Sequence, residues 1–169
     1  MTTSPIRHLA HLTWTDIKAL DKREGVVILP VGAIEQHGPH LPTLTDTLLV
    51  THMLAAALPL LPDHVRAWAL PPLNYGKSNE HTNFPGTMSL SAQTLTAVLH
   101  DIAASVHRAD FRRLSLYEWT RRQRGRAGSR RPRHPPGHRL DVLLHAGRSL
   151  HGSAVRNDRR RKKARFSRW

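Results

Sequence analysis

A chain of 169 residues is long enough for one domain with a sizeable core. It contains no cysteine, which excludes disulfide scaffolds, cysteine-ligated zinc sites and thiol catalysis. Its first residues lack a secretory signal pattern, and no stretch approaches the roughly 20 apolar residues that span a bilayer. We therefore expect a soluble, cytoplasmic protein without membrane partners.

The net charge of +14 is distributed unevenly along the chain. Residues 1–111 carry seven Lys/Arg and nine Asp/Glu, a net charge of −2. Residues 112–169 carry nineteen Lys/Arg and three Asp/Glu, a net charge of +16. Because the mean describes neither part, it does not by itself indicate a nucleic-acid-binding domain.

The chain begins with a predicted helix and a predicted strand. Residues 11–25 favour a short amphipathic helix that begins near Thr15 or Asp16 and ends before Gly25. The run VVILPVG at residues 26–32 lacks alternation, which is typical of a strand buried on both faces.

A second helix is predicted after Thr45, which we expect to be its N-cap, with Pro59 or Pro62 ending it. The segment VRAWALPP at residues 65–72 is the second predicted strand. Residues 74–89 have loop composition.

A long helix and a third strand complete the pattern. Residues 89–111 place apolar side chains at i, i+3 and i+4 spacing, namely Leu95, Val98, Leu99, Ile102 and Val106. FRRLSLY at residues 111–117 is the third predicted strand. This alternation of strands and helices predicts an α/β fold with a mainly parallel sheet.

The pattern stops after Tyr117. The following residues are rich in Arg, Pro and Gly, with one short apolar patch at 142–144. Such a segment buries too little apolar surface to offset its ordering entropy, so we expect it to be largely disordered. The predicted organisation is an α/β domain at residues 1–117 and a basic tail at 118–169.

Residues 32–46, GAIEQHGPHLPTLTD, hold candidate metal ligands. Glu35 and His37 follow the first predicted strand, and side chains at i and i+2 of an extended backbone project to one side. Asp46 can fold back to the same point or bridge two ions. Such a donor set suits Zn²⁺, Mn²⁺ or Fe²⁺ at the carboxyl edge of an α/β sheet. The alternative is a chance Glu-x-His pattern whose side chains are solvated. For His40 three roles stay open from the sequence: a further metal ligand, a hydrogen-bond partner of a ligand, or an ordinary loop histidine.

A second polar cluster lies in YGKSNEHTNFPGT at residues 75–87. Ser78, Glu80 and His81 stand there between glycines and a proline, which is typical of functional loops and of ordinary surface loops.

Together, VVILPVGAIEQHGPHLPTLTDT and PPLNYGKSNEHTNFPGTMSLS resemble the creatininase (creatinine amidohydrolase) family. Its members are similar in carrying PxGxxEQHGPHLPxxTD followed by YGxSxEHxxFPGTxSLS, and the resemblance covers about residues 6–116. It implies a three-layer α/β creatininase-like fold, often in homo-oligomers. It also implies two divalent metal ions (Zn, Mn or Fe) and hydrolysis of a non-peptide C–N bond in a small-molecule amide.

The resemblance assigns roles to individual residues. Glu35 and His37 would each ligate one metal, and Asp46 would bridge both. Ser78 would lie in the substrate pocket, which Tyr75, Glu80 and His81 would help to shape. No residue is assigned as the catalytic acid or base.

The third motif of the family, NGHGGN, is missing at the place where it would supply another histidine ligand. EWTRRQR stands there instead, after the third predicted strand. Read one nucleotide later, the codons that can encode residues 117–124 permit Asn-Gly-His-Gly-Gly-Asn in order. We therefore hypothesise a frameshift near residues 115–117 that leaves the fold incomplete at its C-terminus and the hydrolase with little or no activity.

Two alternative functions remain open from the sequence. One is a pseudoenzyme that keeps the fold without catalysis. The other is nucleic-acid binding through the basic tail, whose charge would give non-specific, salt-dependent affinity.

Overall fold

Three helices and five strands make up the part of the chain that the structure, a computed structural model, describes: residues 7–118, 141–146 and 163–165. The helices are α1 (Trp14–Ala19), α2 (Thr45–Ala57) and α3 (Ala92–Arg108). The strands are β1 (Val26–Val31), β2 (Ala67–Ala69), β3 (Arg113–Glu118), β4 (Asp141–Ala146) and β5 (Lys163–Arg165). Short 3-10 turns lie at Leu9–His11, Leu58–Leu60 and Asn79–His81.

The strands form one sheet with the order β2-β1-β3-β4-β5. β1 pairs in parallel with β2 and β3, β3 pairs in parallel with β4, and β4 pairs with β5 in the antiparallel direction. α2 connects β1 to its parallel neighbour β2, and α3 connects β2 to β3 on the other side of β1, so each of these parallel crossovers contains a helix. The predicted α/β fold with a mainly parallel sheet is confirmed.

Helices pack against both faces of β1. Val27, Leu29 and Val31 of β1 belong to the larger core cluster, which includes Val106 of α3 and has Ile17 of α1 packed against it. Ile28, on the opposite face, packs against a second cluster that holds Leu54 of α2 and Leu58. The alternation along β1 therefore produces three layers, because the strand is covered on both sides.

Local contacts set the starts of the first two helices. α1 begins at Trp14, because Thr13 and Asp16 form a reciprocal capping box, and Thr15 and Asp16 lie near its start as predicted. The N-cap of α2 is Leu44, without a side-chain hydrogen bond. Thr45 is the first helical residue instead, and its hydroxyl donates to the Pro42 carbonyl at 2.6 Å.

The later elements are shorter than predicted. α3 covers residues 92–108 with Ser91 as its N-cap, and Val106 on its predicted apolar face is buried. β2 has only three residues. The prolines at 71 and 72 follow it, and they have no N–H to donate to a neighbouring strand.

The predicted basic tail lies mostly outside the described residues. Within 118–169, residues 141–146 contain the apolar patch of the sequence and form β4, while residues 163–165 form β5. The division into units at 1–117 and 118–169 stays a prediction.

Gly32, just beyond β1, is the point where three segments meet. A Cβ atom built on Gly32 would lie 2.7 Å from the Cα of Thr47 in the first turn of α2. A Cβ atom on Gly76 would lie 2.7 Å from the Gly32 carbonyl oxygen. Because both clashes involve backbone atoms, only glycine at 32 and at 76 permits this approach.

Gly32→Ala is expected to lower the free energy of unfolding by about 1–3 kcal/mol, since the added methyl group has no space beside the α2 backbone. Urea unfolding followed by circular dichroism measures the change. Thr96→Ala, at an exposed position of α3, serves as the control and should stay within about 0.5 kcal/mol of the parent. Equal stabilities for Gly32→Ala and the parent would contradict the close packing.

Candidate metal centre

The loop after β1 and the first turn of α2 bring three predicted site residues together. Glu35, His37 and Asp46 each offer a ligand atom, and these atoms all lie within 4.8 Å of one another. The Glu35 N–H donates to the Thr43 carbonyl at 3.0 Å, which closes the loop between β1 and α2. Thr47 donates its hydroxyl to the Ala33 carbonyl at 3.3 Å and ties α2 to the start of the same loop.

The ring of His37 is held so that one nitrogen faces Asp46. Nδ1 lies 3.0 Å from the Glu35 carbonyl oxygen, which can only accept, so Nδ1 carries the hydrogen of this bond. In the neutral ring Nε2 then has a free lone pair, and it lies 3.2 Å from Asp46 Oδ1. Two acceptors this close require a proton or a cation between them.

Asp46 is a buried carboxyl group that lacks full compensation. It is 5% exposed, and its Oδ2 has no hydrogen-bond partner among the described residues. Burial raises the pKa of Asp46 above its usual value, against the lowering effect of His37. The nearby charges of Glu35 and Glu118 raise that pKa further.

These observations fit a bound cation. An unpartnered buried carboxylate oxygen, an imidazole lone pair and a second carboxylate are the donors that Zn²⁺, Mn²⁺ and Fe²⁺ accept in proteins. A divalent cation would also supply the positive charge that the buried Asp46 lacks.

His81 reaches the same place from the loop after β2. Its Nε2 lies 3.5 Å from Glu35 Oε1, and its Nδ1 lies 3.0 Å from the amide nitrogen of Gln36. The family resemblance implies that His81 helps to shape a substrate pocket, and the structure places it beside the candidate metal ligand Glu35.

The other predicted pocket residues differ in their exposure. Ser78 is 0% exposed, and its hydroxyl oxygen has no hydrogen-bond partner among the described residues. Tyr75 is 50% exposed, and Glu80 is also exposed. His40 is exposed and does not belong to the cluster of candidate ligands within residues 7–118.

Sequence reasoning missed Gln36 and Glu118. Glu118 ends β3 and pairs in register with Val31 of β1, so it stands at the carboxyl edge of the sheet, near Asp46. The carboxyl end of the third predicted strand was the available signal. For Gln36 the signal was its specified place in the EQHGPH part of the family motif, although the motif gives it no role.

A cleft of about 460 Å³ lies apart from these side chains. It is lined by residues around the amino ends of β1 and β3, including Lys22, Arg23, Arg112 and Arg113. Its arginines already pair with Asp21, Asp110 and Glu24. The chemistry therefore points to the small carboxylate and histidine cluster rather than to this larger cleft.

Known proteins resemble the part of the chain that holds this cluster. The creatininase family, described as creatinine amidohydrolase, matches residues 10–118. Creatinine amidohydrolase from Pseudomonas putida is 38% identical over 114 residues, which are 64% of this chain and 42% of that protein. A mycofactocin precursor peptide peptidase from Mycolicibacterium smegmatis is 34% identical over 110 residues, 62% of this chain and 44% of that protein.

Solved creatininase structures also resemble this chain. The manganese form of creatininase has a TM-score of 0.58 and 35% identity, covering 68% of this chain and 45% of that one. A creatininase variant of Zn–Zn type has a TM-score of 0.59 with the same identity and coverage. The chain spans less than half the length of the relatives described here. No helix among the described residues is long and apolar enough to cross a membrane.

Asp46→Asn is expected to raise the melting temperature of the metal-free protein near neutral pH and to remove any increase that Zn²⁺ or Mn²⁺ produces. A raised pKa means that the folded state holds the Asp46 proton more tightly than the unfolded chain does. The stabilising contribution is therefore complete below the ordinary pKa of 3.8 and is lost as the pH rises through the raised value.

Differential scanning calorimetry of both proteins in chelator, from pH 4 to about pH 8, measures this difference. Asp63→Asn, at an exposed position, is the matched control and should follow the parent. A lower melting temperature for metal-free Asp46→Asn across this range would contradict the assignment of an uncompensated buried charge.

Proposed function

The chain belongs to the creatininase family, and from this we propose that it carries part of a divalent-metal-dependent amidohydrolase centre. The reaction would be cleavage of a non-peptide C–N bond in a small-molecule amide. The observation that carries this proposal is the buried Asp46, with one unpartnered oxygen and the other facing the His37 lone pair beside Glu35.

Glu35, His37 and Asp46 are the residues that would hold the metal, with Asp46 bridging two ions. When bound, such ions supply Lewis acidity, which lowers the pKa of a water molecule and polarises a carbonyl group. Similar structures of Zn–Zn and Mn type support a divalent metal. The proposed metal is Zn, Mn or Fe, because this donor set accepts all three.

The protein groups have separate tasks in this proposal. The Glu35 carbonyl fixes the Nδ1–H tautomer of His37, so the lone pair on Nε2 faces Asp46. The two oxygens of Asp46 face different surroundings, since Oδ1 meets His37 and Oδ2 is buried without a partner. A bridging carboxylate needs both of its oxygens available in this way.

Ser78, Tyr75, Glu80 and His81 are proposed to shape the substrate pocket. Tyr75 and Glu80 are accessible as they stand. Ser78 is fully buried, so a substrate could reach its hydroxyl only after the loop that carries it has rearranged. Its unpartnered oxygen gives that hydroxyl a free hydrogen-bonding capacity.

The 169-residue chain itself is proposed to have little or no activity. The family match ends at residue 118, and the histidine motif expected after β3 is replaced by EWTRRQR. The change from a net charge of −2 to +16 occurs close to the same place. These three observations support a frameshift near residues 115–117. A homo-oligomeric state stays a prediction.

Metal binding by the three residues is tested by thermal shift. At a free Zn²⁺ or Mn²⁺ concentration 100 times the dissociation constant, the parent should gain about 2.7 kcal/mol of stability. Glu35→Gln and His37→Phe should each lose most of this gain, whereas exposed His64→Asn should keep it. Equal gains for the parent and both site variants would refute the assignment of these residues as ligands.

The reading-frame hypothesis is tested on the coding DNA. We expect the codons for residues 118–123 to spell Asn-Gly-His-Gly-Gly-Asn in the +1 frame. Protein expressed from the repaired frame should hydrolyse creatinine or a related cyclic amide in the presence of Zn²⁺ or Mn²⁺. The 169-residue protein, assayed beside it as the matched control, should not. Metal binding without turnover in both proteins would instead indicate a pseudoenzyme, and turnover by the 169-residue chain would overturn its proposed inactivity.

A further inference from the structure

Polar groups from two loops form a series that ends at Glu35. The Gly38 N–H donates to Gln36 Oε1 at 2.9 Å. The Nε2 amide nitrogen of Gln36 lies 3.0 Å from His81 Nδ1. On the other side of the same ring, His81 Nε2 lies 3.5 Å from Glu35 Oε1.

The donor and the acceptor of each contact in this series can be assigned. A backbone N–H can only donate, so the Gln36 atom facing Gly38 is the amide oxygen and the NH₂ group faces His81. The NH₂ group also only donates, so Nδ1 of His81 must accept. The neutral ring then carries its hydrogen on Nε2, directed toward Glu35.

We propose that His81 is a positioning residue for Glu35. Its Nε2–H attracts one oxygen of the Glu35 carboxylate and leaves the other oxygen for a cation. The inference rests on the proposed metal site, and it adds a partner that selects which Glu35 oxygen is the ligand. Groups that orient metal ligands in this way stabilise the productive geometry.

The two histidines of the site have opposite tautomers, which separates their roles. His37 donates from Nδ1 to the Glu35 carbonyl and presents a lone pair on Nε2, as a metal ligand must. His81 accepts on Nδ1 and presents a hydrogen on Nε2. A nitrogen that carries a hydrogen cannot ligate a metal, so His81 acts on the carboxylate.

Neighbouring contacts keep the His81 ring in place. The ring stands 6.3 Å from that of Phe84 in a tilted arrangement. His81 and Glu35 are both partly buried, with side chains 26% and 15% exposed. Partial exclusion of water strengthens the electrostatic contact between them.

The first test reads the tautomers directly in the metal-free protein. Long-range ¹H–¹⁵N correlation spectra at pH 8 should show the Nε2–H tautomer for His81 and the Nδ1–H tautomer for His37. In Gln36→Leu, which lacks the amide, the His81 preference should weaken while that of His37 persists. An Nδ1–H tautomer for His81 in the parent would overturn the proposal, whatever the variants do.

The second test measures the affinity for Zn²⁺ by competition with a chelating dye. His81→Phe should bind about 10–100-fold more weakly than the parent. His81→Gln, which keeps an N–H donor, should recover part of this loss, and exposed His64→Asn should match the parent. Circular dichroism of each metal-free variant checks that it is folded. Full affinity in folded His81→Phe, with affinity lost in Asp46→Asn, would overturn the role of His81 alone. Full affinity in Asp46→Asn would instead overturn the proposed metal site.

Discussion

The close approach of three backbone segments at Gly32 is the constraint on which the rest of the site depends. The first turn of α2 and the loop at Gly76 both lie where a larger residue at 32 or 76 would collide with backbone. Without this approach, Asp46 would not reach Glu35 and His37, and the loop that carries His81 would not lie beside them. The absence of a side chain at both glycines thus determines where the four side chains of the proposed site meet.

The same close packing has an electrostatic cost. It places Asp46 where water is largely excluded, next to the negative charges of Glu35 and Glu118. In a metal-free protein this arrangement opposes folding, because a desolvated carboxylate with an unpartnered oxygen is unfavourable. The proposed metal-binding role and the stability of the fold therefore conflict at this point, as is common where a site is arranged for a charged ligand.

The sequence predicted the parts of the structure that depend on local pattern. The unalternating run of β1 and the apolar face of α3 gave the sheet and one of its covering layers. The spacing of Glu35 and His37 after a strand, with Asp46 at a helix start, predicted a cluster that the structure does assemble. The pair Thr13 and Asp16, at the spacing of a capping box, is also a local pattern, and it marks the start of α1.

What the sequence could not predict depends on how separate loops meet. The contact of His81 with Glu35 and Gln36 follows from the fit of Gly76 against Gly32, which no periodicity records. Ser78 is fully buried as well, whereas loop composition alone indicates an exposed residue. The direction of the Gln36 amide requires the backbone N–H of Gly38 to be placed first.

The spacing of these contacts along the chain has a consequence for the order of assembly. His37 and Asp46 are nine residues apart, whereas Gln36 and His81 are 45 apart. Closing the shorter loop costs less conformational entropy, and its residues are synthesised before those of β2 and β3. The contact between His37 and Asp46 can therefore form before the segment that carries His81 is in place, and the contact between His81 and Glu35 forms only once that longer segment has folded back.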